Sequence, residues 1–166
     1  MDPDDACAAW RENVDAKLWI VNWLETYANY AMTIDMPLWA TTKHGSNSPF
    51  HKCSHKQLRQ LTVENLRLID ANRQGRTKWL NVIQGATFEA VTEWWNDVEW
   101  FPCSGYAMSS SGGKAGGLQA LLAPLLMMRD EGAFDAGKDR MHLLGVSTAP
   151  WAVVLTSIQR ALRDSV

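Results

Sequence analysis

The residues best suited to chemistry in this sequence are polar or small, and each lies at the end of an apolar run. They are Asp35, Gln84, the Ser/Gly segment 109–113 and Gly145. A carboxylate accepts N–H donors from a heterocycle, an amide offers a donor and an acceptor to a base edge, and small residues let the backbone approach a flat ring. Taken alone, Asp35 could equally be a helix N-cap or a hydrogen-bonded core carboxylate.

The glycine-rich segment 112–117 (GGKAGG) lies between a predicted strand and a predicted helix, where backbone N–H groups could bind a phosphate. Its spacing fits neither G-x-x-x-x-G-K-[ST] nor G-x-G-x-x-G, because Lys114 is followed by alanine and glycine. The serines at 109–111 lack the G-x-S-x-G pattern of a hydrolase nucleophile. A flexible loop and a backbone surface for a flat ligand both stay open as interpretations.

A second group of candidates, His51, Cys53 and His55, has the spacing H-x-C-x-H. Alternate residues of an extended chain share a face, so the three could converge on a metal ion. No fourth ligand follows at a recognisable spacing, and we therefore expect an exposed loop and no metal site. The three cysteines of the chain are far apart and odd in number, which predicts reduced thiols in the cytoplasm.

Hydrophobic periodicity predicts the elements that would position these residues. A helix runs from Asp2 to about Tyr27, and four strand–helix pairs follow. The predicted strands are 29–35, 78–84, 104–110 and 140–147, and the predicted helices are 56–74, 88–98, 118–130 and one from 150. Residues 37–56 are predicted to form a long loop, either functional or mobile. This alternation predicts an α/β fold of parallel βα units in a single domain, 1–166, whose candidate residues gather at the carboxyl ends of the strands.

Composition and charge limit the functional classes. The 166 residues are 46% hydrophobic with a net charge of -2, which favours a globular domain and argues against indiscriminate nucleic-acid binding. The segment 51–79 carries seven Lys/Arg residues against two acids. It is either a solvated helix face or a contact for a polyanion such as tRNA or DNA. The longest apolar run is too short to span a bilayer, so we expect no membrane partner.

Four motifs, in order, resemble the tRNA-guanine transglycosylase superfamily. This superfamily includes queuine tRNA-ribosyltransferases and the phage and bacterial relatives that place 7-deazaguanines in DNA. The segment ANYAMTIDMP (28–37) is similar to the family strand that ends in a base-binding aspartate. The segments KWLNVIQG (78–85), SGYAMSSSGG (104–113) and KDRMHLLGVSTAPW (138–151) are similar to family strands that end in V-Q-G, G-[YW]-A-[IF]-G-G and L-x-G-V-G followed by T-P.

The resemblance implies a (β/α)8 TIM barrel, of which this chain holds about half, and it implies a base pocket. Asp35 would bind the N–H edge of the base, and Gln84 its carbonyl or ring edge. Tyr106 and Leu144 would enclose the flat ring, and Gly145 would let it approach. Contacts to the exocyclic groups would come from the backbone of four small residues: Ser109, Ser110, Gly112 and Gly113.

The same resemblance implies a glycosyltransferase that exchanges guanine for a 7-deazaguanine in tRNA or DNA through a covalent intermediate on an aspartate. The strand that carries this nucleophile is expected to be missing here, and Asp164 stands nearest its place. The family's zinc-binding cysteines are absent, so no cofactor is expected in this chain. A second copy or another chain would complete the barrel. The alternatives are a non-catalytic binding or assembly protein derived from this fold, and an unrelated small α/β protein.

Overall fold

Helices and strands alternate along the chain after an N-terminal pair of helices. The structure is a computed structural model that describes residues 1–109, 117–135, 137–138, 140–145 and 149–163. Its elements are α1 (Pro3–Glu12), α2 (Val14–Tyr27), β1 (Tyr30–Met32), α3 (His55–Asn72), β2 (Lys78–Ile83), α4 (Phe88–Val98), β3 (Gly105–Ser109), α5 (Gly117–Asp130), β4 (Arg140–Leu144) and α6 (Ala149–Arg163). No helix within the described ranges is long and apolar enough to cross a membrane.

The four strands form one parallel sheet in the order β1-β2-β3-β4. The sheet curls like half of a β/α barrel, so the predicted α/β class with parallel βα units is confirmed. Parallel strands that neighbour one another in chain order place all their carboxyl ends at one edge of the sheet. That edge is where the sequence places its candidate residues.

The two faces of the sheet carry different side chains. Trp79 and Tyr106 point towards the helices and belong to the main hydrophobic core. Side chains alternate along a strand, so Leu80, Val82 and Ala107 lie on the opposite, inner face, where they form a separate buried cluster. The position of a residue in its strand therefore decides whether it can meet a ligand on the inner face.

The single N-terminal helix predicted up to Tyr27 is two helices, and this part of the prediction is wrong. The backbone leaves helical geometry at Asn13 (φ -80°, ψ 53°), between α1 and α2. The carbonyls of Trp10 and Arg11 accept hydrogen bonds from Lys17 Nζ at 2.8 and 3.4 Å. A cation at a helix C-terminus also interacts favourably with the helix dipole. Hydrophobic spacing continues through the break and could not reveal it.

The segment 37–56, predicted to be a long loop, folds into short turns. Two 3-10 turns occupy Leu38–Thr41 and Lys43–Gly45. The helix α3 then begins after the N-cap Ser54, whose side chain accepts from the N–H of Gln57 while the Gln57 side chain accepts from the N–H of Ser54. Apolar residues of this segment pack against α1 and α3 in a second core cluster. The segment is thereby held against the helices.

Glu25 joins α2 to the beginning of β2, at the opposite end of the sheet from the candidate residues. Its carboxylate accepts hydrogen bonds from Trp79 Nε1 at 2.7 Å and from the N–H of Arg76 at 3.0 Å, although the residue is only 2% exposed. Burial raises the pKa of Glu25, but the hydrogen bonds from Trp79, Arg76 and Thr77 outweigh it, so the pKa lies below its ordinary value. Glu25 thus fixes the strand that leads to Gln84.

Candidate functional site at the carboxyl ends of the strands

Gln84 and Asp35 meet where β2 and β1 end. Gln84 follows the last residue of β2, and its side-chain Nε2 donates to Asp35 Oδ2. The same nitrogen lies 3.3 Å from the carbonyl oxygen of Met36, and Gln84 Oε1 accepts from the N–H of Leu38 at 2.9 Å. The Gln84 amide therefore uses both its donor and its acceptor to hold residues 35–38.

Two polar side chains of α3 hold the same segment from another side. Asn65 Nδ2 donates to the carbonyl of Ile34 at 3.0 Å, and Thr62 Oγ1 accepts from the N–H of Met36 at 2.9 Å. Neither residue is among those predicted from the sequence. Each is buried among the apolar residues of an amphipathic helix. A buried polar side chain needs a hydrogen-bond partner, so a polar residue on the apolar face of a helix is a signal in the sequence that could have identified them.

The strand β1 ends at Met32, earlier than the predicted 29–35. The N–H of Thr33 still donates to the carbonyl of Leu80 at 3.0 Å, but the next strand hydrogen bond is replaced. The N–H of Val82 donates to Thr33 Oγ1 instead, at 3.0 Å. Because the Thr33 hydroxyl takes the place of a backbone carbonyl as acceptor, the chain leaves the sheet while its polar groups stay paired. The following residues, including Asp35, then run across the end of β2.

The Asp35 carboxylate lies in a partly buried position that disfavours its charge. Burial raises the pKa of Asp35 from 3.8 to about 6, against the opposing effect of hydrogen bonds from its own backbone N–H and from Gln84. The group is thus ionised at neutral pH and becomes protonated within two pH units below it. A carboxylate of this kind can switch between accepting and donating hydrogen bonds near physiological pH.

Three more candidates lie at the same edge of the sheet. The register of β2 and β3 puts Gln84 level with Ser109, and Ser109 pairs with Leu144. Leu144 is half-buried, and Gly145 follows it with φ 76°, a left-handed conformation that glycine adopts without strain. The candidates from β2, β3 and β4 therefore stand in one row. Four further predicted site residues lie outside the described residues: Ser110, Gly112, Gly113 and Asp164.

Tyr106 lies on the helix side of the sheet, away from this row. Its side chain is fully buried against Trp95 and Phe134, and its hydroxyl donates to the carbonyl of Ala133 at 3.0 Å. Leu144 occupies an inner-face position of β4. The sheet separates the two side chains, so they cannot enclose one ring. The predicted sandwich is corrected on this point, and Tyr106 belongs to the hydrophobic core.

The basic segment 51–79 does not form one continuous charged surface. Arg59 and Arg73 are held in salt bridges with neighbouring carboxylates. Lys78 is exposed on the inner face, with its Nζ 5.5 Å from the ring centroid of Tyr30, and the Arg140 guanidinium lies 5.0 Å from the same ring. Within the described ranges, neither Lys78 nor Arg140 pairs with a carboxylate. These two cations lie on the inner face beside the Tyr30 ring and are not neutralised by a described carboxylate.

His51, Cys53 and His55 do not converge. The Sγ atom of Cys53 lies 3.9 Å from that of Cys7 in the second core cluster, whereas His55 Nε2 lies 3.2 Å from Thr41 Oγ1. The extended backbone that would align the three side chains does not form, because residues 51–52 lie in a turn and His55 already begins α3. In the part of the chain that the structure describes, no group of three or more His, Cys, Asp or Glu side chains is arranged to hold a metal ion.

No protein-family model, curated protein or solved structure matches this chain significantly. The resemblance to the transglycosylase superfamily therefore rests on the four motifs and their order. The geometry adds that residues of all four motifs lie at one edge of one parallel sheet, with Asp35 and Gln84 in direct contact. This edge is the candidate functional site.

Proposed function

We propose that this chain is the base-recognition part of a tRNA-guanine transglycosylase-like protein that exchanges guanine for a 7-deazaguanine in tRNA or DNA. The observation that carries the proposal is the contact between Asp35 and Gln84 at the carboxyl ends of adjacent parallel strands. Ligands of β/α folds gather at this edge of the sheet. Ser109 and Gly145, from the other two motifs, lie at the same edge.

Asp35 supplies the recognition chemistry in this proposal. A guanine-type ring presents two adjacent N–H donors, from its ring nitrogen and its 2-amino group, and an ionised carboxylate can accept both in parallel. The Gln84 amide is already shared with Met36 and Leu38, so we assign it the role of positioning the carboxylate. Leu144 would then offer an apolar contact to the ring, without the help of Tyr106.

The contrast between two carboxylates of the fold supports a binding role for Asp35. Glu25 is buried with enough N–H donors to lower its pKa, as a structural carboxylate should be. Asp35 is partly buried with too few N–H donors to offset that burial, and its pKa is raised. A carboxylate kept in a position that disfavours its charge is a typical feature of functional sites, where the ligand supplies the missing donors.

Lys78 and Arg140 would contact the phosphates of the nucleic acid in this proposal. Both are exposed on the inner face, and they lie near the amino ends of β2 and β4. Gln84 lies six positions after Lys78 along the strand, which corresponds to roughly 20 Å. A polynucleotide strand can span that distance, whereas a free base cannot. The two cations therefore favour a nucleic-acid substrate over a free base as the ligand of the whole surface.

A second copy of the chain completes the barrel in this proposal and provides what one copy lacks. β1 and β4 are the outer strands of the sheet, and a two-fold axis along the barrel would place β4 of each copy beside β1 of the other with all strands parallel. Next to β1, the helix α2 exposes three aromatic side chains: Trp19, Trp23 and Tyr27. Exposed aromatic groups beside an open sheet edge are typical of interfaces.

The same aromatic surface favours one second candidate, a non-catalytic assembly protein that uses the half-barrel for association. Trp19 is 66% exposed and Tyr27 is 72% exposed, which is unusual for such large apolar groups unless a partner covers them. The two functions differ in one property, because only the first requires a base to bind. Self-association without base binding would favour the assembly protein.

Calorimetric titration with 7-deazaguanine tests the proposed function. We expect saturable binding by the natural chain and binding weakened about 10–100-fold by Asp35→Asn, since one charge-assisted acceptor pair is lost. Asp130→Asn is the matched control, because Asp130 is exposed and, among the residues that the structure describes, pairs only with the adjacent Arg129. Equal affinities for all three proteins, or no binding by any, would refute base recognition at Asp35.

A further inference from the structure

Two thiols from distant parts of the chain touch inside the second core cluster. Cys7 in α1 is 2% exposed and Cys53, just before α3, is 5% exposed. Their Sγ atoms lie 3.9 Å apart, although 46 positions of sequence separate the residues. In a disulfide bond the two sulfur atoms are roughly 2.05 Å apart, so these two thiols need to approach by about 1.9 Å more. The third cysteine, Cys103, is half-buried between α4 and β3, in a different region of the fold.

The thiol pair adjoins the segment that carries Asp35. Met36 is a buried member of the same cluster, and Leu38 packs against it. Both residues are also held by Gln84, through the Met36 carbonyl and the Leu38 N–H. A covalent change at the thiols therefore takes place in the same core cluster as Met36, the residue adjacent to Asp35.

We propose that Cys7 and Cys53 form a reversible disulfide that links α1 to the beginning of α3, within the core cluster that also holds Met36. The oxidant is a low-molecular-weight disulfide such as oxidised glutathione. One cysteine thiolate attacks it, which forms a mixed disulfide and releases one glutathione thiolate. The second cysteine, after losing its proton, displaces the other glutathione. Two protein thiols thus lose two electrons and two protons, and one glutathione disulfide is reduced to two thiols.

Burial sets the conditions under which this oxidation proceeds. Burial, reinforced by the neighbouring Cys7, raises the pKa of Cys53 to about 11, so little thiolate exists at neutral pH. The pair therefore reacts slowly and responds to sustained oxidising conditions rather than to brief ones. The product closes a loop that contains α2, β1 and Asp35, and this restricts the unfolded chain. The inference is independent of whether Asp35 binds a base.

Thiol counting in glutathione buffers tests the proposal. The folded natural chain, Cys103→Ser and Cys7→Ser are equilibrated at pH 8.5 with increasing fractions of oxidised glutathione, alkylated, and analysed by intact mass and peptide mapping. For Cys103→Ser we expect loss of both free thiols, a mass lower by about 2 Da and one cross-linked peptide joining Cys7 to Cys53. Its thermal midpoint should rise by on the order of 10 °C. Cys7→Ser should form no cross-link.

Three results would overturn the proposal. If Cys103→Ser keeps two free thiols in the most oxidising buffer, Cys7 and Cys53 do not form a disulfide. Glutathione bound to Cys53 without a cross-link shows that the second displacement fails. A cross-linked form with a lower thermal midpoint shows that the bond distorts the fold. The cross-link should also slow amide hydrogen exchange in residues 33–38, and unchanged exchange there would refute the connection to the Asp35 segment.

Discussion

The Gln84 side chain donates a hydrogen bond to the Asp35 carboxylate across the carboxyl ends of two neighbouring parallel strands. This contact brings together the two residues that the sequence marks as capable of recognising a base edge. It also leaves Asp35 with fewer donors than its burial requires, which raises its pKa to about 6.

Asp35→Asn should stabilise the protein at neutral pH. The pKa of the Asp35 carboxyl group is higher in the folded chain than in the unfolded chain, so its protonated form stabilises the fold. This contribution is fully present below the unfolded pKa and is lost as the pH rises through the folded pKa of about 6. Asparagine removes the buried charge and can still accept from Gln84. We expect a free energy of unfolding about 1–3 kcal/mol higher at pH 7, measured by urea titration.

The pH dependence provides the control for this variant. The advantage of Asp35→Asn should shrink between pH 6 and pH 4, because the natural carboxyl group is protonated there and no longer charged. If Asp35→Asn instead lowers the free energy of unfolding equally at pH 7 and pH 4, the carboxylate is held by structural hydrogen bonds, as the side chain of a helix N-cap is.

Gln84→Ala should destabilise the protein by about 1–3 kcal/mol, since it leaves the N–H of Leu38 and the buried side of Asp35 without partners. Residues 35–38 should then exchange their amide hydrogens faster. Urea titration and hydrogen exchange measure the two effects. Gln60→Ala is the matched control, because Gln60 is exposed on α3. Comparable losses in the two variants would show that Gln84 does not hold this segment.

Glu25→Gln should show the opposite pH trend to Asp35→Asn. The pKa of Glu25 is lower in the folded chain than in the unfolded chain, so its ionised form stabilises the fold. This contribution is present above the unfolded pKa and is lost as the pH falls through the folded pKa. We expect the variant to be about 1–3 kcal/mol less stable at pH 7, because the acceptor for Trp79 and Arg76 is weakened. The deficit should narrow in acid. A deficit that grows in acid would contradict the assigned role.

Replacing Trp19 and Trp23 together by serine should abolish self-association. Both side chains are exposed on α2 beside the outer strand β1, where the proposed second copy would cover them. Sedimentation should show a dimer for the natural chain and a monomer for the double variant. Trp39→Ser is the control, because Trp39 is also exposed but lies in a separate 3-10 turn. A natural chain that sediments as a monomer at micromolar concentration would refute barrel completion by a second copy.

The sequence predicts the strands and their parallel order well, because apolar runs between amphipathic helices have few other solutions. The predicted end of β2 agrees with the structure to within one residue, whereas β1 ends at Met32, three residues before its predicted end. The prediction fails at Asn13 because the hydrophobic spacing continues across the break between α1 and α2. The prediction fails at Tyr106 because the family resemblance identifies the residue but not the face of the sheet on which its side chain lies. Side chains alternate along β3, so Tyr106 lies on the opposite face from Ser109 and its ring is in the core.

The residues that hold the segment around Asp35 could be predicted only in part. Gln84 follows from its place at the end of a neighbouring strand. Thr62 and Asn65 do not, since their role depends on how the short β1 leaves the sheet. Such contacts join residues that lie about thirty positions apart, and local sequence patterns carry no information about them.

The affinity for 7-deazaguanine as a function of pH tests base recognition by Asp35 most directly. The ionised carboxylate is required to accept the two N–H donors, so calorimetric titration should give a dissociation constant that rises about tenfold between pH 7 and pH 5, with its midpoint near the pKa of about 6. Asp35→Asn should bind weakly at every pH. An affinity that does not change with pH and is the same in the natural chain and in Asp35→Asn would contradict the proposed function.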